Sequence, residues 1–316
     1  MKKLLLFMSM FLLVGAISAC ETDDVIVVAQ ADWESIEFHN EVVRIIIEAG
    51  YGVTVQTVPA DTAIMVASLR TGDINLSMEV WSDNIPTYQD ELDAGNFQEL
   101  SVNFDDNLQG LYIPRYLAEQ YPGLRTVQDL KDYVELFPNP EGGDKGIIYG
   151  GPNGWSATEF LEMKMEAYGL DEYFEFRKID SSATMNATLA GAYANEAPWV
   201  GYNWEPTWAL GLFDLFLLED TPYSPEDFAQ GIGAFPTVRV TVAVDSDFAD
   251  QYPEITLFLS NYQTSSDITS AALAYMQENS VEADEAAIWF LTNYESLWTS
   301  WVPTDVVALV KEAISE

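Results

Sequence analysis

Four of the chain's nine tryptophans stand in one kind of position. Trp33 follows the apolar run VIVVAQ, and Trp81 closes INLSMEVW. Trp155 lies between KGIIYGG and the periodic run SATEFLEMKMEAYGL, and Trp204 closes PWVGYNW. Each preceding run has strand character, so each indole falls where a strand ends. In open α/β sheets, ligands bind in the crevice outside the carboxyl ends of the strands. Core packing accounts for any one such ring taken alone. Four at the same topological position point to a site. Trp199, Trp208, Trp289, Trp298 and Trp301 lack the pattern and are expected in core or helix packing.

Aromatic boxes suit two chemistries. Sugars stack on ring faces but need many directional donors and acceptors as well. A quaternary ammonium has no N–H to donate and is held by the negative faces of the rings. Three or four desolvated contacts of this kind supply roughly 4–8 kcal/mol. Micromolar binding needs about 8 kcal/mol net of the cost of association, so a second anchor is expected. GPNGWSATE offers one. Gly151 and Gly154 allow close backbone approach, and the N–H groups of Ser156, Ala157 and Thr158 open a helix whose dipole favours an anion. Ser156 with Glu159 three residues on also has the form of a capping box, so a plain capped helix start is the alternative. A ligand that is a cation at one end and a carboxylate at the other is a betaine. Three acids, Glu34, Glu79 and Glu205, adjoin the tryptophans. Such acids are usually solvated or structural, but one facing the cleft would favour a pure cation such as choline.

Rival chemistry has little to stand on. Paired carboxylates would suit a secreted glycoside hydrolase, but with 51 acidic residues some pair always looks suggestive. There is no G-x-S-x-G, no P-loop and no cysteine beyond Cys20. His39, the only histidine, falls on the first helix, where a surface or packing role is expected. His- and Cys-built metal sites are excluded by count, no EF-hand loop is present, and neither metal nor cofactor is expected. The net charge of −38 repels nucleic acid and anionic membranes. Residues 1–19 read as a cleaved leader, with MKK ahead of a short apolar core. ISAC resembles a bacterial lipobox, so Cys20 is the expected site of a lipid, with 20–23 as a tether and the membrane reached through that anchor alone.

The elements that must carry these residues alternate. VIVVAQ, VTVQTV and INLSMEVW are read as strands, separated by a helix stopping at Gly50 and another between Asp61 and Gly72. The middle of the chain repeats the pattern, VRVTVAV adds a strand, and the rest is helical. This predicts an α/β protein of two lobes, each a mostly parallel sheet flanked by helices, with the ligand cleft between them. Lobe 1 is expected to comprise residues 24–108 plus 239–316, and lobe 2 residues 109–238. A hinge is expected where the chain crosses, near 108–112 and 236–241.

The order GDINLSMEVWSD, GGPNGWSATE, VGYNWEPTWAL and FPTVRVTVAVDSDFADQYPEI resembles the substrate-binding proteins of glycine betaine/proline betaine/choline ABC importers, over nearly the whole chain after the leader. The resemblance implies a two-lobed, type II-like periplasmic-binding-protein fold and a hinged, non-enzymatic, monomeric receptor. It further implies a trimethylammonium group boxed by Trp33, Trp81, Trp155 and Trp204, and delivery to an ABC permease with its ATPase. Glycine betaine is the expected ligand, its carboxylate on Ser156, Ala157 or Thr207; choline, carnitine, proline betaine and sulfonium analogues are alternatives. Two departures stand out. Thr207 occupies a position where many members carry histidine, and no proline follows Trp81.

Overall fold

The computed structural model describes residues 25–315; the leader, Cys20 and the tether lie outside the described residues. Among the described residues, ten strands form two five-stranded sheets. The chain first lays down β1 (Val25–Gln30), β2 (Thr54–Pro59), β3 (Leu76–Trp81) and β4 (Phe97–Phe104). It then builds β5 (Gln109–Pro114), β6 (Gly146–Gly150), β7 (Phe174–Lys178), β8 (Gly201–Trp204) and β9 (Leu215–Leu217) before returning with β10 (Val240–Asp245). The orders are β2-β1-β3-β10-β4 and β7-β6-β8-β5-β9. β1 runs parallel to β2 and β3, while β10 runs antiparallel to β3 and β4. The second sheet has the same layout, with β6 parallel to β7 and β8, and β5 antiparallel to β8 and β9. Both sheets are therefore mixed, and the expected parallel portion is the β-α-β-α-β part of each.

Burial follows strand position. Every residue of β10 is buried, as fits a β-branched run inserted between two neighbours. β3 does not divide into a core face and a solvent face. Ser77 and Glu79 are as buried as Leu76 and Met78, because β3 is an inner strand covered on both sides. The first helix, Glu34–Tyr51, buries Ile36, Phe38, Val42, Val43, Ile46 and Ile47. It packs on the helices Ala283–Asn293 and Thr304–Ala313. This helix runs past Gly50, and Gly52 caps it in the left-handed conformation at φ 69°. Gly50 is a packing glycine instead, since a Cβ there would come within 2.5 Å of Val306 Cγ1.

The crossings between the sheets are short and tied together. The chain leaves β4 at Phe104 and enters β5 at Gln109, so most of the expected 108–112 hinge is strand. Asn107 Nδ2 donates to the Val238 carbonyl at 2.6 Å, and the Val238 N–H donates to Asn107 Oδ1 at 3.0 Å. One buried amide thus joins the outgoing and returning segments.

Candidate functional site

All four selected tryptophans stand at the carboxyl ends of parallel strands. Trp33 and Trp155 are the N-cap residues of the helices Glu34–Tyr51 and Ser156–Ala167, which follow β1 and β6. Trp81 and Trp204 are the last residues of β3 and β8. Since β1 and β6 hold matching places in the two sheet orders, as do β3 and β8, each sheet presents one helix-cap indole and one strand-end indole.

Packing brings the rings of both sheets to one apolar cluster. That cluster is built on second-sheet residues such as Leu111, Ile113, Ile148 and Trp204, and Trp33, Trp81 and Trp155 pack against it half-buried. Trp155 meets Trp204 edge-on, with centroids 5.1 Å apart and an interplanar angle of 85°. Trp204 stacks on Tyr202 at 5.7 Å, and Trp81 meets Phe104 edge-on at 6.1 Å. Gly151 has no room for a side chain, because a Cβ would lie 2.8 Å from Trp155 Cε3. The other five tryptophans lie in or against the separate cluster around the first helix, as their lack of pattern led us to expect.

Beneath Trp33 and Trp81 lies a wholly buried polar group that sequence reasoning understated. Trp33 Nε1 donates to Glu79 Oε2 at 2.6 Å, and Ser35 Oγ donates to the same oxygen at 3.1 Å. Glu79 Oε1 has no hydrogen-bond partner, and His39 Nε2 is 3.6 Å away. Burial pushes the Glu79 carboxyl up to about 7, against the pull of the bonds from Trp33 and Ser35 and of the nearby Trp81 side chain, which favour its ionised form. His39 is also fully buried, with Nδ1 2.8 Å from the Tyr262 hydroxyl, and burial lowers its pKa to about 3. It is a packing residue, as one of the two expected roles had it. Spacing alone could place Glu79 on the face of Trp81, but not reveal that β3 is covered there.

The remaining site candidates divide. Ser156 is the first helical residue rather than the cap, and the helix has no side-chain cap. The expected capping box is absent because the cap position falls on Trp155, whose side chain has no acceptor oxygen; the Trp155 carbonyl takes the first helical bonds, from the N–H groups of Thr158 and Glu159 at 3.0 and 3.2 Å. The N–H groups of Ser156 and Ala157, at the first two helical positions, have no carbonyl four residues back inside the helix to bond. Thr158 Oγ1, on the same turn, is buried without a partner, a donor that the sequence reading overlooked. The Thr207 hydroxyl is already engaged. It donates to Asn203 Oδ1 at 3.0 Å and accepts from the Leu210 N–H, capping a short helix.

Of the acids, Glu205 accepts from the Leu108 N–H at 3.0 Å and so braces the outgoing crossing. Glu34 accepts from Ser182 Oγ at 3.4 Å, joining the start of the first helix to the start of the helix Ser182–Ala194. Burial raises the pKa of both acids. Glu34 also lines a groove of about 340 Å³ with Trp208, Leu273 and Met276, which none of the four selected indoles lines.

Two mixed sheets of matching layout, flanked by helices, have the type II-like periplasmic-binding-protein fold. Residues 24–293 match the substrate-binding domain of ABC-type glycine betaine transport systems, and the chain belongs to that family of receptors, not of enzymes. It is 26% identical over 313 residues to the trimethylamine N-oxide-binding protein of Pelagibacter ubique, covering 95% of this chain and 99% of that one. Its fold is similar to lactococcal OpuAC in its closed form with glycine betaine (TM-score 0.70, 18% identity, 89% of this chain and 100% of that one). It is equally similar to an ABC-transporter choline-binding protein in complex with choline (TM-score 0.69, 21% identity, 93% and 99%). Among the described residues no helix is long and apolar enough to cross a membrane.

The Glu79 environment generates a stability prediction. Its folded pKa lies above the ordinary value of 4.5. Its contribution to stability is therefore fully present below pH 4.5 and is lost as pH rises towards 7. Glu79→Gln should match the natural protein near pH 4.5 and exceed it by about 1–3 kcal/mol at pH 8, measured by urea unfolding of the ligand-free forms. A stability difference that does not change with pH would contradict the buried acid.

Proposed function

We propose that this chain is an extracytoplasmic receptor that holds a trimethylammonium solute among Trp33, Trp81, Trp155 and Trp204 and delivers it to an ABC permease driven by its ATPase. The observation that carries this reading is the convergence of four strand-end indoles from two sheets on one apolar cluster. A cation without N–H groups is stabilised by ring faces and by exclusion of water, and the half-buried rings gathered on one apolar cluster support that reading. Each described cation–π contact of a lysine or arginine lies elsewhere, on Phe160, Tyr168 or Phe216. On this reading Cys20 carries the lipid that holds the receptor at the membrane. A mature protein beginning at any other residue would remove that anchor.

Glycine betaine is the first ligand. Its carboxylate suits the N–H groups of Ser156 and Ala157 together with the partnerless Thr158 hydroxyl. Trimethylamine N-oxide is a second reading, favoured by the named binding function of the Pelagibacter relative and by the commitment of Thr207 to Asn203. Calorimetric titration separates the two. Trp81→Ala, Trp155→Ala and Trp204→Ala should each weaken either ligand by about 1–3 kcal/mol, while Trp289→Phe leaves binding unchanged. Thr158→Val should cost glycine betaine about 1–2 kcal/mol and spare a ligand that lacks a carboxylate. Normal binding by all three cage variants would refute the site.

We assign residues 24–108 plus 239–316 to one lobe and 109–238 to the other, closing about the crossings held by Asn107 and Val238. Both lobes contact the ligand together only when closed, so ligand shifts the population towards that form. Small-angle scattering should show a smaller radius of gyration at saturation; an unchanged radius would contradict the hinge.

A further inference from the structure

Glu79 sits in an environment that costs stability, and its geometry says what it does there. The residue is wholly buried two places before Trp81 on β3, on the same side of the strand. One carboxyl oxygen receives both donors, the Trp33 indole and the Ser35 hydroxyl. The other has no hydrogen-bond partner. A carboxyl group serving only as a structural acceptor would be replaced at lower cost by an amide or a hydroxyl. A carboxylate differs from both in carrying charge, which a low-dielectric interior screens poorly.

We propose that Glu79 is a positioning and charge-supplying residue of the cation site: its carboxylate fixes the Trp33 ring through the indole N–H and places a negative charge at the N–H edge of that ring, coupling cation binding to loss of the Glu79 proton. The proposal rests on the trimethylammonium reading above. Two effects act in one direction. The ionised acid, wholly buried, attracts the bound cation through an interior that screens charge poorly. It also polarises the indole through the N–H bond, making the ring face more negative towards the cation.

None of the groups in contact with Glu79 changes charge near neutrality. The first helix contributes Trp33, Ser35 and His39, and His39, lowered to about 3, is neutral above pH 5. Tyr262 interacts with Glu79 electrostatically, and burial holds its phenol well above the ordinary value, so it stays protonated. Thr269, 3.4 Å from His39 Nε2, does not titrate. Trp81, on the same strand, does not titrate either. Glu34, the other acid beside Trp33 with a raised pKa, is bonded to Ser182 instead.

Tetramethylammonium is the probe, because its charge is fixed and it has no carboxylate or oxide to titrate. Its Kd for the mature protein should rise about tenfold as pH falls from 8 to 5.5. Glu79→Gln keeps an acceptor for the indole but has no charge, so its Kd should be flat with pH and close to that of the natural protein at pH 5.5. Ser35→Ala removes one bond to the ionised carboxylate and should move the midpoint of the profile to higher pH, which a purely structural role for Glu79 does not predict. This variant leaves Glu79 and all four rings in place, so it tests the coupling even if Glu79→Gln folds poorly. A flat profile for the natural protein, or an unchanged slope in Glu79→Gln, overturns the coupling while leaving the onium site intact. Failure of tetramethylammonium to bind at pH 8 defeats the onium reading and the coupling together.

Discussion

The bond from the Trp33 indole to the buried Glu79 carboxyl sets the terms for the rest of the site. An onium head offers no hydrogen to grasp, so a protein can hold it only with surfaces. Surfaces select only if their orientation is fixed, and a half-buried indole at a chain turn has freedom to swing. Trp33 loses that freedom through its N–H, the one polar atom of the side chain. The cost appears elsewhere, as an acid with a raised pKa and an unsatisfied oxygen inside the first sheet. Such a cost is characteristic of functional sites rather than of optimised cores.

The two sheets solve the same geometric problem differently. Each has a parallel trio with an indole at a helix cap and another at a strand end, and each is completed by antiparallel strands. In the first sheet the orienting partner is polar, through Glu79, Ser35 and His39. In the second it is aromatic: Trp155 against Trp204, and Trp204 against Tyr202. The first-turn N–H groups and Thr158 also belong to the second sheet. In the proposed reading the charged end of a zwitterion therefore meets the second lobe, and the first lobe deals chiefly with the cation.

Much of this was legible in the residue string, for a physical reason. Strand exits follow from apolar runs of fixed length, and tryptophans at four of them can be counted without knowing the fold. Less legible was anything that depends on which strands are inner. β4, with the polar interruptions of FQELSVNF, and the three-residue β9 carry weak local signals and were not read as strands. Without β4 and β9 each sheet reads as mostly parallel, and nothing local says that β10 lies beside β3, which is what makes β3 an inner strand. The partner of the Thr207 hydroxyl was hidden for a related reason: only the fold brings Asn203 Oδ1 within reach of it. Gly50 and Gly52 were both available as helix stops, and packing against Val306 decided between them.

The central claim is that one cation lies among four indoles drawn from both sheets, and a crystal structure with glycine betaine tests it most directly. The account predicts the three methyl groups against the faces of Trp33, Trp81, Trp155 and Trp204, with the carboxylate at the Ser156–Thr158 turn. A ligand found instead in the groove lined by Glu34, Trp208 and Leu273, or one touching the indoles of a single sheet, would contradict it.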